Sequence, residues 1–478
     1  MRERVPEDAY TATQLIGDVW AFVHPYRFRF FIASFARLIG DVAWLYPSFA
    51  LAALVNELSK GAELDQRALV FVFIFWGIAI VVRAYSQYLT RTIGFRIGEK
   101  VVVDVTKKAM RHLTTLDMAW HERENSGNKV KRIQNASHGM DRLIRMWFNM
   151  LIEIGVNFIG IFVILATIES ITLAPLALFV VTYFTLSYTL GRRAALASLE
   201  VDKEGEVVSG ILYETAANIR TVKVLSFSEA ILERLSGVLD VLYHKVARRI
   251  DLYQIRGFVL MLWAQSFHIG ILAFIAYGVW VGHYEVGFII LFHRFFGQLW
   301  DSVSELSEFS QEFMSSKLSI ARLRAMLDTE PAVHASKQTE VLSPTWQTIQ
   351  FKNVSFTYQD VPVLKNVSFS VHRGEKIGVV GLSGAGKSTL FKLLMKEREV
   401  YEGEILVDGT PLHKIGAEGY FSRVAAVLQD TEVFNMSLKD NITIAGSGDH
   451  ERAFQDALRI AHVSDFVERL PLGIETLI

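Results

Sequence analysis

GLSGAGKST, residues 381–389, is the stretch on which the reading of this chain turns, because it fits the phosphate-binding pattern G-x-x-x-x-G-K-[ST] at every fixed position. Turning successive backbone N–H groups inward around phosphate oxygens requires a loop nearly free of side chains, which Gly381, Ser383, Gly384, Ala385 and Gly386 provide. Lys387 supplies a point charge for the terminal phosphates, and the hydroxyl of Ser388 is of the type that ligates Mg²⁺. Thr389 opens an expected helix over 389–395, whose N-terminus favours an anion. Ahead of the loop, EKIGVV (375–380) reads as a buried strand. Strand, loop and helix in that order imply a nucleoside triphosphate site.

The remainder of the chain is too apolar for an ordinary soluble protein. Of 478 residues, 51% are hydrophobic, and the apolar stretches long enough to span a bilayer lie in the first two thirds. They fall at 30–54, 68–88, 147–168, 171–190, 258–281 and 285–303, which predicts six spans. The last is the weakest, interrupted by His293, Arg294, Gln298 and Asp301. A net charge of −1 creates no field that would draw nucleic acid. The absence of cysteine excludes disulfides, thiolate metal sites and a cysteine nucleophile. No apolar run starts before about residue 30, so the N-terminus does not read as a signal peptide.

Loop charge sets the orientation. The connections between spans one and two, three and four, and five and six are short and carry little positive charge. The long stretches 89–145 and 191–256 are polar and helix-patterned, and the first holds twelve Lys and Arg between Arg91 and Arg145. By the positive-inside rule both long stretches and both chain ends are cytoplasmic, where the nucleotide is. Spans two to five therefore continue as helices well past the bilayer and meet at turns, one around the Ser126-Gly127 dipeptide.

After Glu330 the character changes. Residues 331–344 form a polar linker, and alternating β-type patterning begins at Thr348. Strands are expected at 349–356, 365–371, 404–407 (ending in the turn Asp408-Gly409) and 424–428, and a helical pattern runs over 449–470. The overall expectation is an α-helical polytopic membrane domain over 1–330, six spans with long cytoplasmic helical extensions, followed by a partial α/β P-loop nucleotide-binding domain over 345–478.

Read in order, FKNVSFTY (351–358), VLKNVSFSV (363–371), the P-loop, GEILVDG (403–409), VAAVLQDTEVF (424–434) and LKDNI (438–442) resemble the ATP-binding cassette of an ABC transporter. Six spans with two long cytoplasmic hairpins ahead of it resemble a half-transporter of the exporter class, and the resemblance covers essentially the whole chain. It implies an ATP-binding and permease subunit in the cell membrane, with its cassette cytoplasmic, paired with a second half-transporter and exporting an unknown substrate. It also implies residue roles. Tyr358 resembles the aromatic that stacks on adenine. Gln429 resembles the glutamine that touches Mg²⁺, with Ser388, and orients the attacking water. The turns at 120–128 and 213–219 resemble the coupling helices that dock on the cassettes.

The printed sequence departs from the family's pattern near its end. It holds no LSGGQ-like stretch, no apolar strand ending in Asp-Glu (Walker B) and no later switch histidine. EILVD (404–408) imitates Walker B, but it follows the P-loop too closely and has Gly409 where the catalytic glutamate belongs. Two readings follow: an incomplete form of an exporter subunit, or a hydrolysis-deficient membrane protein whose remnant cassette serves as a nucleotide-binding interaction or regulatory subunit. On either reading the sheet around 377–380 is expected to lack neighbours and the residues of 424–428 to be exposed.

Charged and histidine side chains within or beside the spans (Arg37, Asp41, Arg83, Glu153, His268, His293, Arg294 and Asp301) have two readings. They form a polar translocation path for an amphipathic or charged substrate, or they pair internally, as Arg37 and Asp41 would one turn apart.

Overall fold

The computed structural model describes residues 10–61, 65–123, 126–330, 340–358, 361–398, 401–427, 433–444 and 451–478. The chain divides into two compact units, Met1–Pro331 and Ala332–Ile478. The expected linker over 331–344 falls largely outside the described residues.

The first unit is built from ten helices among the described residues. Helix α1 (Ala12–Val23) starts in a capping box: Gln14 N–H donates to Thr11 Oγ1 at 3.2 Å, and Thr11 N–H donates to Gln14 Oε1 at 2.8 Å. Then come α2 (Arg27–Ser59), α3 (Gln66–Leu113), the short α4 (Met118–Arg123) and α5 (Ser126–Met146). A π-helical turn, Trp147–Leu151, runs into α6 (Ile152–Ile168). Helices α7 (Leu173–Ala217), α8 (Ile219–Val224), α9 (Ser228–Trp280) and α10 (Val286–Leu327) complete the unit.

At 48, 45 and 53 residues, α3, α7 and α9 are each more than twice the length needed to cross a bilayer. Five helical stretches among the described residues are long and apolar enough to cross a membrane. Helix α10 forms over 42 residues without interruption, but the polar residues at 293, 294, 298 and 301 keep it outside that apolar set.

Two cores hold the unit. One joins α1, α3, α5 and α10 through Leu15, Val101, Val105, Ile133, Met140, Phe148 and Leu323. The other joins α6, α7, α9 and α10 through Ile161, Phe179, Ala264, Ile275, Phe292 and Phe296. Close approach of α2 and α3 depends on Gly40, where a Cβ would lie 2.7 Å from Ser86 Cβ.

The second unit contains one sheet in the order β2-β1-β3-β4, with all pairs antiparallel. Strands β1 (Thr348–Tyr358) and β2 (Val361–His372) form a hairpin that covers both strands expected there. Strand β3 (Glu402–Val407) turns through Asp408 and Gly409 into β4 (Thr410–Pro411). Both turn residues have positive φ, +48° and +82°, as a two-residue hairpin with matching twist requires. Phe351, Val354, Leu393, Ile405, Ile415 and Tyr420 fill the core. The remaining helices are α11 (Lys387–Leu394), α12 (Ala417–Phe421), α13 (Leu438–Thr443), α14 (Glu451–Ile460) and α15 (Ser464–Val467), so the helical pattern expected over 449–470 resolves into two pieces.

Two expected strands do not form. Residues 375–380 and 424–427 carry no strand structure. Val380 is 93% exposed and Val427 99% exposed. A parallel strand has no local partner and relies on neighbours delivered by crossover connections. Among the described residues no strand pairs with either segment.

Candidate functional site

The P-loop pattern adopts a phosphate-cradle geometry. Gly384 and Gly386 have φ of +82° and +89°, values that cost an L side chain strain and glycine little. Gly386 is also the N-cap of α11, and Leu390 N–H donates to its carbonyl at 3.1 Å. A Cβ at Gly386 would lie 2.9 Å from Leu364 Cδ2 and 3.3 Å from the Val363 carbonyl. The start of β2 thus abuts the loop and permits nothing larger than glycine there. The Lys387 ammonium donates back to the carbonyls of Gly381 (2.9 Å) and Leu382 (2.8 Å), which places the cation at the loop. Ser388 is exposed and Thr389 buried, while residues 381–385 are exposed. Open backbone, a helix N-terminus and a held ammonium suit the phosphates of a nucleotide.

Tyr358 ends β1, paired with Val361 across the hairpin whose second strand abuts Gly386. The hairpin therefore carries this ring to the side of the P-loop. Its ring meets Phe356 edge-on at 4.8 Å, and the Arg398 guanidinium lies 5.5 Å from its centroid. Sequence reasoning missed Arg398, because a Lys-Glu-Arg run following a helix reads as a solvated cap. Gln429 lies outside the described residues.

The charged residues in the spans separate into two groups. Arg37 Nε donates to Asp41 at 2.8 Å on α2, and the same guanidinium donates to Glu153 on α6 and to the carbonyl of Asn149 (3.3 Å) in the π turn. Arg83 on α3 pairs with Asp41 and, at 3.3 Å, with Glu153. Two cations and two anions from three helices thus neutralise one another, and internal pairing accounts for all four. His268 and His293 form a second contact, Nε2 to Nδ1 at 3.1 Å, with the His268 ring stacked on Phe296 at 4.5 Å. By contrast, Arg294 and Asp301 present exposed side chains along α10.

Two short helices join the long ones, α4 between α3 and α5 and α8 between α7 and α9. Helix α4 is braced from behind: Lys129 donates to the His121 carbonyl at 2.8 Å and stands 5.5 Å from the Trp120 ring centroid. Helix α8 follows Asn218, whose side chain donates to the Glu214 carbonyl at 2.9 Å. The turn expected at 213–219 is reduced to Asn218, because residues 213–217 are the helical end of α7 and Ile219 already begins α8.

Comparison with known proteins bears directly on this arrangement. Residues 30–303 match the ABC transporter transmembrane region, and residues 364–474 match the ABC transporter family. Among relatives, the ATP-dependent lipid A-core flippase of Desulfotalea psychrophila is 24% identical over 484 residues, covering 98% of this chain and 81% of its own. The alpha-hemolysin translocation ATP-binding protein HlyB of Escherichia coli O157:H7 is 26% identical over 486 residues, covering 94% of this chain and 67% of its own. A bacterial Atm1-family ABC exporter solved with ATP bound superposes with a TM-score of 0.81 at 20% identity, over 95% of this chain and 80% of that one. Permease and ATP-binding domain thus share one polypeptide, a multi-pass membrane protein with a cytoplasmic, nucleotide-binding cassette, in a family whose exporters act as dimers. The chain belongs to the ABC transporter family, as a half-transporter of the exporter class.

Proposed function

We propose that residues 381–389 cradle the phosphates of ATP, with Lys387 reaching the terminal phosphates and Tyr358 stacking on the base. Ser388 and Gln429 hold Mg²⁺ in this reading, and Gln429 orients water at the γ-phosphate. A bound metal would supply positive charge that offsets the charge of the phosphates. The chain's own residues position the nucleotide through loop N–H groups, the Lys387 ammonium and the α11 N-terminus. Residues 1–330 serve as the membrane domain, 331–344 as the linker and 345–478 as the cassette. A second half-transporter completes the dimer, and α4 and α8 act as the coupling helices that carry nucleotide-driven motion to the spans.

The observation that carries this reading is the Lys387 ammonium held at the loop carbonyls of Gly381 and Leu382, directly beside the left-handed Gly386. Replacing Lys387 with Ala removes the cation while leaving the loop backbone in place. Binding of a fluorescent ATP analogue to the purified full chain is expected to be abolished in Lys387→Ala. Unchanged binding would refute the phosphate-cradle assignment.

The cargo reading rests on α10. An ionised side chain in contact with hydrocarbon is costly, so the exposed Arg294 and Asp301 face a water-lined or protein surface. This favours a polar translocation path along α10 and an amphipathic or charged substrate. The names of the two relatives concern a lipid A-core flippase and an alpha-hemolysin translocator, whose cargoes differ, so the polar face of α10 is the more specific guide for this chain.

A further inference from the structure

The chain leaves α11 by a left-handed exit of the Schellman type, with lysine in place of the usual glycine. Met395 N–H closes the helix onto Phe391 O at 2.8 Å, and Lys396 then takes a left-handed φ of +54°. Its ammonium is tied to the Ile415 carbonyl at 2.7 Å, and Glu397 N–H donates back to Lys392 O at 2.9 Å. This exit fixes the course of the chain two residues before Arg398, which is only 8% exposed and sets its guanidinium 5.5 Å from the Tyr358 ring centroid.

A guanidinium keeps its charge in any protein environment. Placed over an aromatic face it is drawn to the negative side of the ring quadrupole, more strongly where water is excluded. We propose that Arg398 is a positioning residue for nucleotide binding: it occupies one face of Tyr358 and holds the ring in a single orientation, with the opposite face left for the base.

This inference rests on the reading of Tyr358 as the base-stacking residue. A ring already held in its bound orientation loses less freedom when the base arrives, and the affinity gained is independent of which base it is. The loop at one end of α11 grips the phosphates, and the exit at the other end steadies the ring. One eight-residue helix, about 12 Å long, thereby links the two ends of the nucleotide site.

The test uses the full chain in detergent, with Kd measured for fluorescent ATP and GTP analogues. The variants are Arg398→Gln, Arg398→Met, Arg398→Lys, Tyr358→Ala and the double variant Tyr358→Ala/Arg398→Gln. Arg398→Gln is expected to weaken both analogues by roughly three- to tenfold, with Arg398→Lys recovering part of the loss. In the Tyr358→Ala background, Arg398→Gln is expected to have no further effect. Arg398→Met keeps the buried volume without the charge and carries the test if the Gln variant does not fold. Unchanged binding in Tyr358→Ala would overturn the stacking reading itself and the proposal with it. Weakened binding in Tyr358→Ala with unchanged binding in Arg398→Gln and Arg398→Met would overturn the proposal alone. So would an equal loss from Arg398→Gln in both backgrounds.

Discussion

The four-charge group of the membrane domain gives the sharpest test of how its helices are held. Asp41, with its side chain 1% exposed, accepts from Arg37 and forms an ion pair with Arg83. Arg37, Arg83, Asp41 and Glu153 sum to zero charge, and Asp41→Asn leaves the group at +1 with two guanidinium groups sharing one carboxylate. Removing one partner from a buried ion pair typically costs about 3–5 kcal/mol, because the remaining charge stays desolvated. For a unit of this size that corresponds to a fall in melting temperature on the order of 10 °C. The assay is thermal unfolding of the detergent-purified full chain, followed by loss of the monodisperse peak. Arg83→Gln added to Asp41→Asn restores neutrality and is expected to recover part of the loss, a coupling that independent sites would not show. If Asp41→Asn melts like the parent, or the double variant is no more stable than the single one, the pairing does not hold α2, α3 and α6 together. Asp41 would then be better read as part of the substrate path.

Two further outcomes are expected in the cassette. Asp408 is pulled below the usual carboxylate range first by the Thr348 N–H (2.7 Å), then by the single Gln347 backbone N–H, which lies 2.8 and 2.9 Å from its two oxygens. Its contribution is therefore complete above the ordinary carboxylate pKa and is lost as pH falls through the depressed one. Amide hydrogen exchange at Gln347 and Thr348, corrected for intrinsic rate, should accelerate over that acid window in the parent and at neutral pH in Asp408→Ala; exchange unaffected by the variant would discard the clamp. Limited proteolysis of the full chain should cut first within 375–383 and 424–427, which lack ladder hydrogen bonds, while α5, α6 and α10 remain intact; resistance at both segments equal to that of the bundle would contradict their exposure.

What could be read from the sequence was what is local in the chain. The P-loop is nine consecutive residues, and its glycine spacing encodes the backbone directly. The long cytoplasmic extensions of α3, α7 and α9 showed themselves as helical periodicity continuing beyond the apolar windows. Arg37 and Asp41 were a legible pair because they lie one turn apart on α2. Their other partners were not legible, since Arg83 and Glu153 arrive from helices separated by 70 positions from each other, and Glu153 is 116 from Arg37. Nothing in a one-dimensional pattern matches charges across such distances. The π turn at Trp147–Leu151, whose Asn149 carbonyl accepts from Arg37, was equally hidden within what reads as a continuous apolar helix.

The cassette divides by the same rule. Strands β1 and β2 are consecutive in the chain and pair antiparallel, and β3 and β4 pair across Asp408-Gly409, so alternation, with turn chemistry for the second pair, specifies them. The segments 375–380 and 424–427 have equally apolar sequences, but the hydrogen bonds of a parallel strand come from neighbours supplied through crossovers. An apolar run records that a segment is suited to burial and says nothing of whether its partners are in place. The exposed Val380 and Val427 are the result. The P-loop geometry nevertheless persists beside the unformed strand. Its positive-φ glycines, the Lys387 contacts to Gly381 and Leu382, and the packing of Leu364 on Gly386 depend on α11 and the β1–β2 hairpin, not on residues 375–380. The nucleotide cradle thus draws its shape from the locally specified part of the domain, which is why its pattern was sufficient to find it.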